Sequence, residues 1–348
     1  MNSEALRRKT MEELISVVVI TYNQEQTIGR TLDGILMQQC HLPIEIVIGE
    51  DCSTDGTLAI CQDYQRRFPN QIRLFANELN KGIIDNYFDC LLAARGKFIA
   101  DCAGDDFWTD PLKLEKEARL LEEHSDVVIV HTDWLYYNET TQQTEPHIAR
   151  QHDQPFTSGA ELLESILTQT RMPVIHLCTS LYRKSAFLKA YEADTFVLRN
   201  KEFGCEDLSL TFLLARQGRV GYLPDVTLNY SIGHPSVSVQ EDDARQFRFV
   251  RRVSELTRYL SKQYDVNSPS VIRHLQYRLF ALAMHAFRAY RVDLRQEVVE
   301  MKKNWGVKTS FATDFVLLLS ATKLSWTAAL MLRKVFVACK QTLRPSRK

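Results

Sequence analysis

The chain has 348 residues, 45% hydrophobic and 25% charged, and its 43 basic and 43 acidic residues cancel to a formal net charge of zero. That length suggests roughly two domains at about 150 residues each, and the ordinary balance of apolar and charged residues excludes global disorder. A neutral chain lacks the overall field of a nucleic-acid binder, although its last stretch is locally basic.

Residues 1–13 form a polar, charged leader without the long apolar run of a signal peptide. Residues 15–21, ISVVVIT, are continuously apolar and β-branched, which predicts a strand buried on both faces. Ile28, Leu32, Ile35 and Leu36 follow at the spacing of one helix face. IEIVIGE at 44–50 is a second strand. STDGT then supplies turn and N-cap residues, and Ile60, Cys61, Tyr64 and Phe68 make a second helical stripe. Further strands are predicted over 72–77 and 97–102, with a helix over about 84–94 between them. Strands alternating with helices imply right-handed βαβ units and a largely parallel sheet, an α/β fold.

Beyond residue 110 a proline opens an amphipathic helix in PLKLEKEARLLEEH, and VVIVHTDWLYY at 127–137 reads as a strand. Residues 138–157 read as a loop and VIHLCTSLY at 174–182 as a strand. A helix is expected over 206–217, then two short strands around a Pro-Asp turn in 220–231. From about 240 long helical patterns run to the end. The predicted organisation is an α/β domain over 14–238, divided into halves at 14–125 and 126–238, and a helical region over 239–348. The eight cysteines show no Cys-x-x-Cys spacing. They read as reduced thiols and small buried side chains, not as a disulfide framework or zinc site. In that setting the Asn138 sequon is idle.

Ligands of open α/β sheets bind beyond the carboxyl ends of the strands. Here those ends carry TYNQE (21–25), EDCSTDGT (50–57) and AGDD (103–106). Several carboxylates on one edge suit phosphate only when a divalent cation lies between, and oxygen ligands are the usual environment of Mg2+ or Mn2+. Taken singly, Asp51, Ser53 and Asp55 read as a turn and cap. Asp105 and Asp106 are equally a solvated loop, and Phe107 and Trp108 read as packing for it.

In this order and spacing, SVVVITYNQEQTIGRTLDGILMQ, IEIVIGEDCSTDGT and GKFIADCAGDDFWTDPLKLEK resemble the family-2 glycosyltransferases, nucleotide-diphospho-sugar transferases of GT-A fold. The resemblance covers residues 14–125 and continues more loosely to about 236 through CEDLSLTFLLARQG and YLPDVTLNYSIGHPSVS. It implies an inverting transfer from a nucleotide-sugar donor, most simply a UDP-sugar, to a hydroxyl of a glycan or lipid-linked saccharide in surface polysaccharide synthesis. Thr21 and Tyr22 would line the nucleotide pocket, Glu25 would bond the ribose or base, and Asp51 would read the base edge. Asp105 matches the last aspartate of the Asp-x-Asp metal motif, whose first position is Ala103 here. Asp101 compensates if the strand persists. Asp106 would contact the donor sugar or orient the loop. Asp207 of the Glu206-Asp207 pair matches the general base, and His234 matches a histidine near the diphosphate or metal.

Two rivals stand beside this. A sugar-nucleotide nucleotidyltransferase would need a glycine-rich basic loop that TYNQEQT lacks. A non-catalytic glycan-binding or scaffold relative gains weight from Ala103. Residues 311–348 are apolar with a basic end, but Asp314 and Lys323 interrupt them, so they do not form a clean transmembrane span. Peripheral contact with a membrane surface and a helix docked on protein both remain open. The expected location is the cytoplasm, at or near the inner face of the membrane.

Overall fold

The apolar run near the start of the chain lies inside the sheet because it is covered on both sides. The computed structural model describes residues 13–146, 154–169, 174–233, 242–329 and 331. In strand β1 (Ile15–Thr21), Ile15, Val17 and Val19 are buried on one face and Ser16 and Val18 on the other, so no polar alternation appears. Helix α1 (Ile28–Leu36) buries Ile28, Leu32 and Ile35. Strand β2 (Ile44–Glu50), helix α2 (Thr57–Arg67), strand β3 (Ile72–Ala76), helix α3 (Ile83–Ala93) and strand β4 (Phe98–Asp101) continue the alternation. These strands pair in parallel in the order β3-β2-β1-β4. The β1–β2 register runs from Ile15↔Ile44 to Thr21↔Glu50, so the carboxyl ends of both strands finish level.

The chain continues through β5 (Phe107–Trp108), α4 (Lys113–Glu123), β6 (Val127–Asn138), β7 (Gln143–Pro146), β8 (Phe156–Ser158) and α5 (Gly159–Thr168). A 3-10 turn (Leu177–Thr179) precedes β9 (Ser180–Arg183), α6 (Lys184–Ala193), α7 (Thr195–Arg199), α8 (Glu206–Ala215) and β10 (Arg219–Ile232). The full sheet order is β3-β2-β1-β4-β9-β6-β10-β5, with β7 on β6 and β8 on β10. The longest pairings, β6 with β10 and β1 with β2, are parallel, and β9 joins the two parallel blocks as an antiparallel strand.

Three stretches differ from the sequence expectation. Residues 174–182 are not one strand. The His176 carbonyl accepts from Thr179 N (2.9 Å) and from the Thr179 and Ser180 hydroxyls (2.7 and 2.9 Å), which turns the chain before the ladder begins. Residues 220–231 belong to one strand, not two. Its register shifts between Tyr222 and Val226 absorb Pro224, which cannot donate to a ladder. The predicted 138–157 loop contains strand β7 and the start of β8, and its residues 147–153 lie outside the described ones.

The chain divides into two compact units, Met1–His234 and Pro235–Lys348. The second contains α9 (Asp243–Gln263), α10 (Pro269–Ala289), α11 (Val292–Trp305) and α12 (Phe311–Leu319). Asp242 caps α9, and Ser268 caps α10 ahead of Pro269 in its first turn. Leu256, Leu260, Leu275, Leu279 and Val298 are buried among these helices. Among the described residues, no helix is long and apolar enough to cross a membrane.

Candidate active site

Three loops meet at the carboxyl edge of the parallel strands. Asp51 N donates to the Thr21 carbonyl (3.0 Å) and Gly104 N to the Ile20 carbonyl (3.2 Å), joining the ends of β2 and β4 to β1. A side chain at Gly104 would collide with Thr21, whose Cβ would lie 2.9 Å from the added carbon. Glycine at 104 therefore lets the AGDD loop close onto β1. The Glu25 carboxylate accepts from Gly56 N (2.6 Å), and Glu25 N donates to Asp55 (3.1 Å), tying the first loop to the second.

Helix α1 holds the aspartate loop by its backbone. Thr27 donates to the Gly104 carbonyl (2.8 Å), Arg30 to the Asp105 carbonyl (3.4 Å) and Thr31 to the Asp106 carbonyl (2.6 Å). From the other side, the Ser231 hydroxyl donates to the Asp105 carbonyl (2.6 Å) and Ser231 N to Asp106 Oδ1 (2.9 Å). Trp108 anchors the far end. It is 2% exposed, and its indole N–H donates to the Cys178 carbonyl (2.8 Å). The buried Lys113 ammonium, paired with Glu117 at 2.6 Å, lies 4.6 Å from the Trp108 ring centroid.

The resulting edge is strongly acidic. Burial and the Asp105 charge push the Asp106 carboxyl well up, and its Oδ2 is buried without a hydrogen-bond partner. Burial raises Glu206 and Asp207, and the Asp207 charge raises Glu206 further. Asp207 stands in the first turn of α8 and faces a cleft of about 220 Å³ together with Trp134, Tyr136, His176, Thr211 and Tyr230. Tyr230 senses Asp105, Asp106 and Asp207 together, and burial plus these charges hold its phenol far up. The aspartates of the AGDD loop and of α8 thus share one electrostatic neighbourhood.

The residues singled out from sequence take different places within this edge. Thr21 is buried, with its hydroxyl on Gln24 (2.8 Å), and Tyr22 is exposed on the loop. The Asp51 carboxylate accepts from Asn77 Nδ2, Lys81 N and Gly82 N, so it orders the loop between β3 and α3. His234 lies outside the described residues. Asp101 does not stand in for an acid at 103. The strand ends at Asp101, whose carboxyl is buried against the Tyr87 hydroxyl (2.9 Å) and pushed up to about 7 by that burial. Ala103 packs on the core instead.

Sequence reasoning missed His176 and Cys178. Ligand atoms of Asp106, His176 and Cys178 lie within 4.8 Å of one another, the kind of cluster that can hold a metal ion. No local signal marked them, since Asp106 reaches them from a distant part of the sequence. Several clustered carboxylates, one with an unpartnered buried oxygen, fit a divalent cation, which would neutralise charge that the buried Lys113, already paired with Glu117, does not.

The model of the family described as Glycosyl transferase family 2 matches residues 16–190.

The chain belongs to glycosyl transferase family 2.

Among relatives of this family member, the uncharacterized protein Rv1520 of Mycobacterium tuberculosis is 43% identical over 115 residues, which is 33% of this chain and 33% of that one. The putative glycosyltransferase EpsE of Bacillus subtilis is 30% identical over 214 residues, 60% of this chain and 69% of that one. The chain therefore spans about a third of the length of the first curated relatives it matches. In fold it is similar to the crystal structure of S. aureus TarS, with a TM-score of 0.56 at 16% identity, covering 88% of this chain and 52% of that one. This supports the GT-A assignment of the sheet.

Proposed function

We propose that the chain transfers a sugar from a nucleoside-diphosphate-sugar donor, with UDP-sugars the first to test, to a hydroxyl of a glycan or lipid-linked saccharide in cell-surface polysaccharide synthesis. The observation that carries this is the Asp207 carboxylate, facing a cleft within electrostatic reach of the Asp105–Asp106 loop. Asp207 takes the proton of the acceptor hydroxyl as that oxygen attacks the anomeric carbon, and the nucleoside diphosphate departs with the bonding pair. A single displacement of this kind inverts the anomeric centre. Its carboxyl, raised by burial, is a stronger base than an exposed aspartate. Asp105 would hold Mg2+ or Mn2+, which supplies Lewis-acid stabilisation of the leaving diphosphate. Asp106 and its Ser231 partner orient that loop, and the Thr21–Glu25 and Asp51 loops form the nucleotide side.

The second unit adds a membrane-facing element to this proposal. On α12 the exposed Phe311, Phe315 and Leu318 recur at one helix face, which supports contact with a lipid surface.

Two variants test the assignment in one experiment. Asp207→Asn should lose at least about 100-fold in transfer while keeping the UDP-induced thermal shift. Asp105→Ala should remove the part of that shift that depends on manganese. Unchanged turnover in Asp207→Asn sinks the base assignment. A shift equal with and without manganese in the parent protein sinks the metal assignment.

A further inference from the structure

Away from the acidic edge, a second group of metal-ligating side chains gathers where α1 gives way to β2. A ligand atom each from Cys40, His41 and Glu115 lie within 4.8 Å of one another. Cys40 and His41 follow α1, and Glu115 stands in the first turn of α4. Hydrogen bonds already join the two segments. Gln39 N donates to the Pro111 carbonyl (2.8 Å), Gln38 Nε2 to the Asp110 carbonyl (2.8 Å) and Leu114 N to Gln38 Oε1 (3.1 Å). Each member of the group also has a partner behind it. His41 Nδ1 faces Glu115 Oε2 at 2.6 Å, while Nε2 is 3.0 Å from Glu122 Oε2, about two turns along α4. Arg119 Nε donates to the other oxygen of Glu115, Oε1 (2.6 Å). The Leu42 backbone N–H donates to the Cys40 sulfur. Metal-bound histidines and carboxylates are held by outer partners in this way. An ion pair of His41 with two glutamates calls for neither the thiol nor the N–H behind it.

We propose that Cys40, His41 and Glu115 bind zinc, and that the ion pins the end of α1 to the start of α4. One sulfur, one nitrogen and one oxygen ligand make a donor set suited to zinc, with water in the fourth tetrahedral position. Mg2+ and Mn2+ favour all-oxygen sites instead. Cys40 and Glu115 are half-buried and His41 is exposed, so an ion has a path in. On binding, the protons of the Cys40 thiol and of His41 Nδ1 leave to solvent, and Nε2 keeps its own for Glu122. Burial pushes the free Cys40 thiol up to about 11, and a coordinated cation is what ionises such a thiol. The site lies past the end of α1 opposite Thr27, the residue by which that helix reaches the Gly104 carbonyl. Its role is structural: α1 and α4 both adjoin the aspartate loop, and the ion fixes one to the other. No Cys-x-x-Cys spacing announces it, because Glu115 is 74 residues from His41. The proposal needs no assignment of Asp105 or Asp207.

Titration of the chelator-stripped full chain with Co2+, followed by Zn2+, tests this directly. Cobalt should give a thiolate-to-metal charge-transfer band in the near ultraviolet and the visible bands of a four-coordinate ion, and zinc should displace it. Cys40→Ser and His41→Asn should each lose one bound cobalt together with that band. Cys178→Ser, which alters the cluster beside Asp106, should keep both. Zinc should raise the thermal midpoint of the parent protein by mass action. Glu115→Gln should raise the zinc Kd at least about 10-fold, and Glu122→Gln about 10- to 100-fold as an outer partner. Thermal midpoints without metal check that each variant is folded. A parent protein without the thiolate band, a cobalt count and spectrum unchanged in Cys40→Ser, or a zinc Kd unmoved by Glu115→Gln overturns the site. Loss of the band in Cys178→Ser alone assigns the thiolate to the other cluster and overturns it equally.

Discussion

Asp101 and Asp207 are both carboxyls raised by burial, and the raised pKa acts differently at each. Asp207 faces the cleft and must be deprotonated to accept a proton. Transfer should therefore be lost as pH falls through its raised pKa, giving an acid limb above the ordinary aspartate value of about 4. A pH–rate profile of kcat measures it, and a limb at or below that value would contradict the burial effect. Asp101 is sealed against Tyr87 and held up to about 7. Its folded pKa exceeds the unfolded one, so its contribution to stability is full below about pH 4 and is lost as pH rises through about 7. Asp101→Asn removes that slope. Relative to the parent, the variant should gain on the order of 1–4 kcal/mol between pH 4 and 8, read by denaturant unfolding at both ends of that window. Sequence showed an acid at each position. It could not show that one faces a cleft and the other a phenol, because the Tyr87 hydroxyl and the cleft-lining rings come from other elements.

At the scale of elements, helix α1 is as much a clamp as a cover for the sheet. Its buried stripe of Ile28, Leu32 and Ile35 was legible as period-3.6 spacing. Its other face was not, since Thr27, Arg30 and Thr31 bind carbonyls more than 70 residues away in sequence. Arg30 also pairs with Glu139 and lies 4.0 Å from the Phe107 ring centroid. Arg30→Met should keep the helix and most of its packing but release the Asp105 carbonyl. Transfer should fall about 10- to 100-fold, as expected for a displaced catalytic loop, with a loss of only about 1 kcal/mol in stability because the ion pair is partly exposed. Kinetics and thermal midpoints of the same samples separate the two effects. A fall in both by equivalent amounts would assign Arg30 to stability alone. The 3-10 turn at Leu177–Thr179 was hidden for a related reason. Its residues alternate like a strand, and hydroxyl bonds to a single carbonyl decide otherwise.

For the whole molecule, the two units raise separate questions. The exposed Phe311, Phe315 and Leu318, with the basic residues that follow in sequence, predict binding to anionic vesicles. Co-sedimentation should be seen at low salt and weaken as salt is raised, and Phe311→Ser with Phe315→Ser should reduce it. Equal sedimentation with neutral and anionic vesicles would remove the electrostatic part of the proposal. The sequence alone determined the alternating α/β plan, the largely parallel pairing it implies, and the edge on which acidic loops collect. Those follow from local periodicity and from the apolar cost of exposing a strand buried on both faces. Only the tertiary structure decided how the carboxylates divide. Asp51 is spent on a neighbouring loop, Asp101 on a phenol, and Asp106 on Ser231, while Asp207 is set before an aromatic cleft. Ala103, where another acid was expected, packs on the core, and His176 and Cys178 come to Asp106 from the far half of the unit. Partners separated by tens of residues leave no periodic trace in sequence, and their hydrogen bonds and desolvation exist only once the sheet has closed.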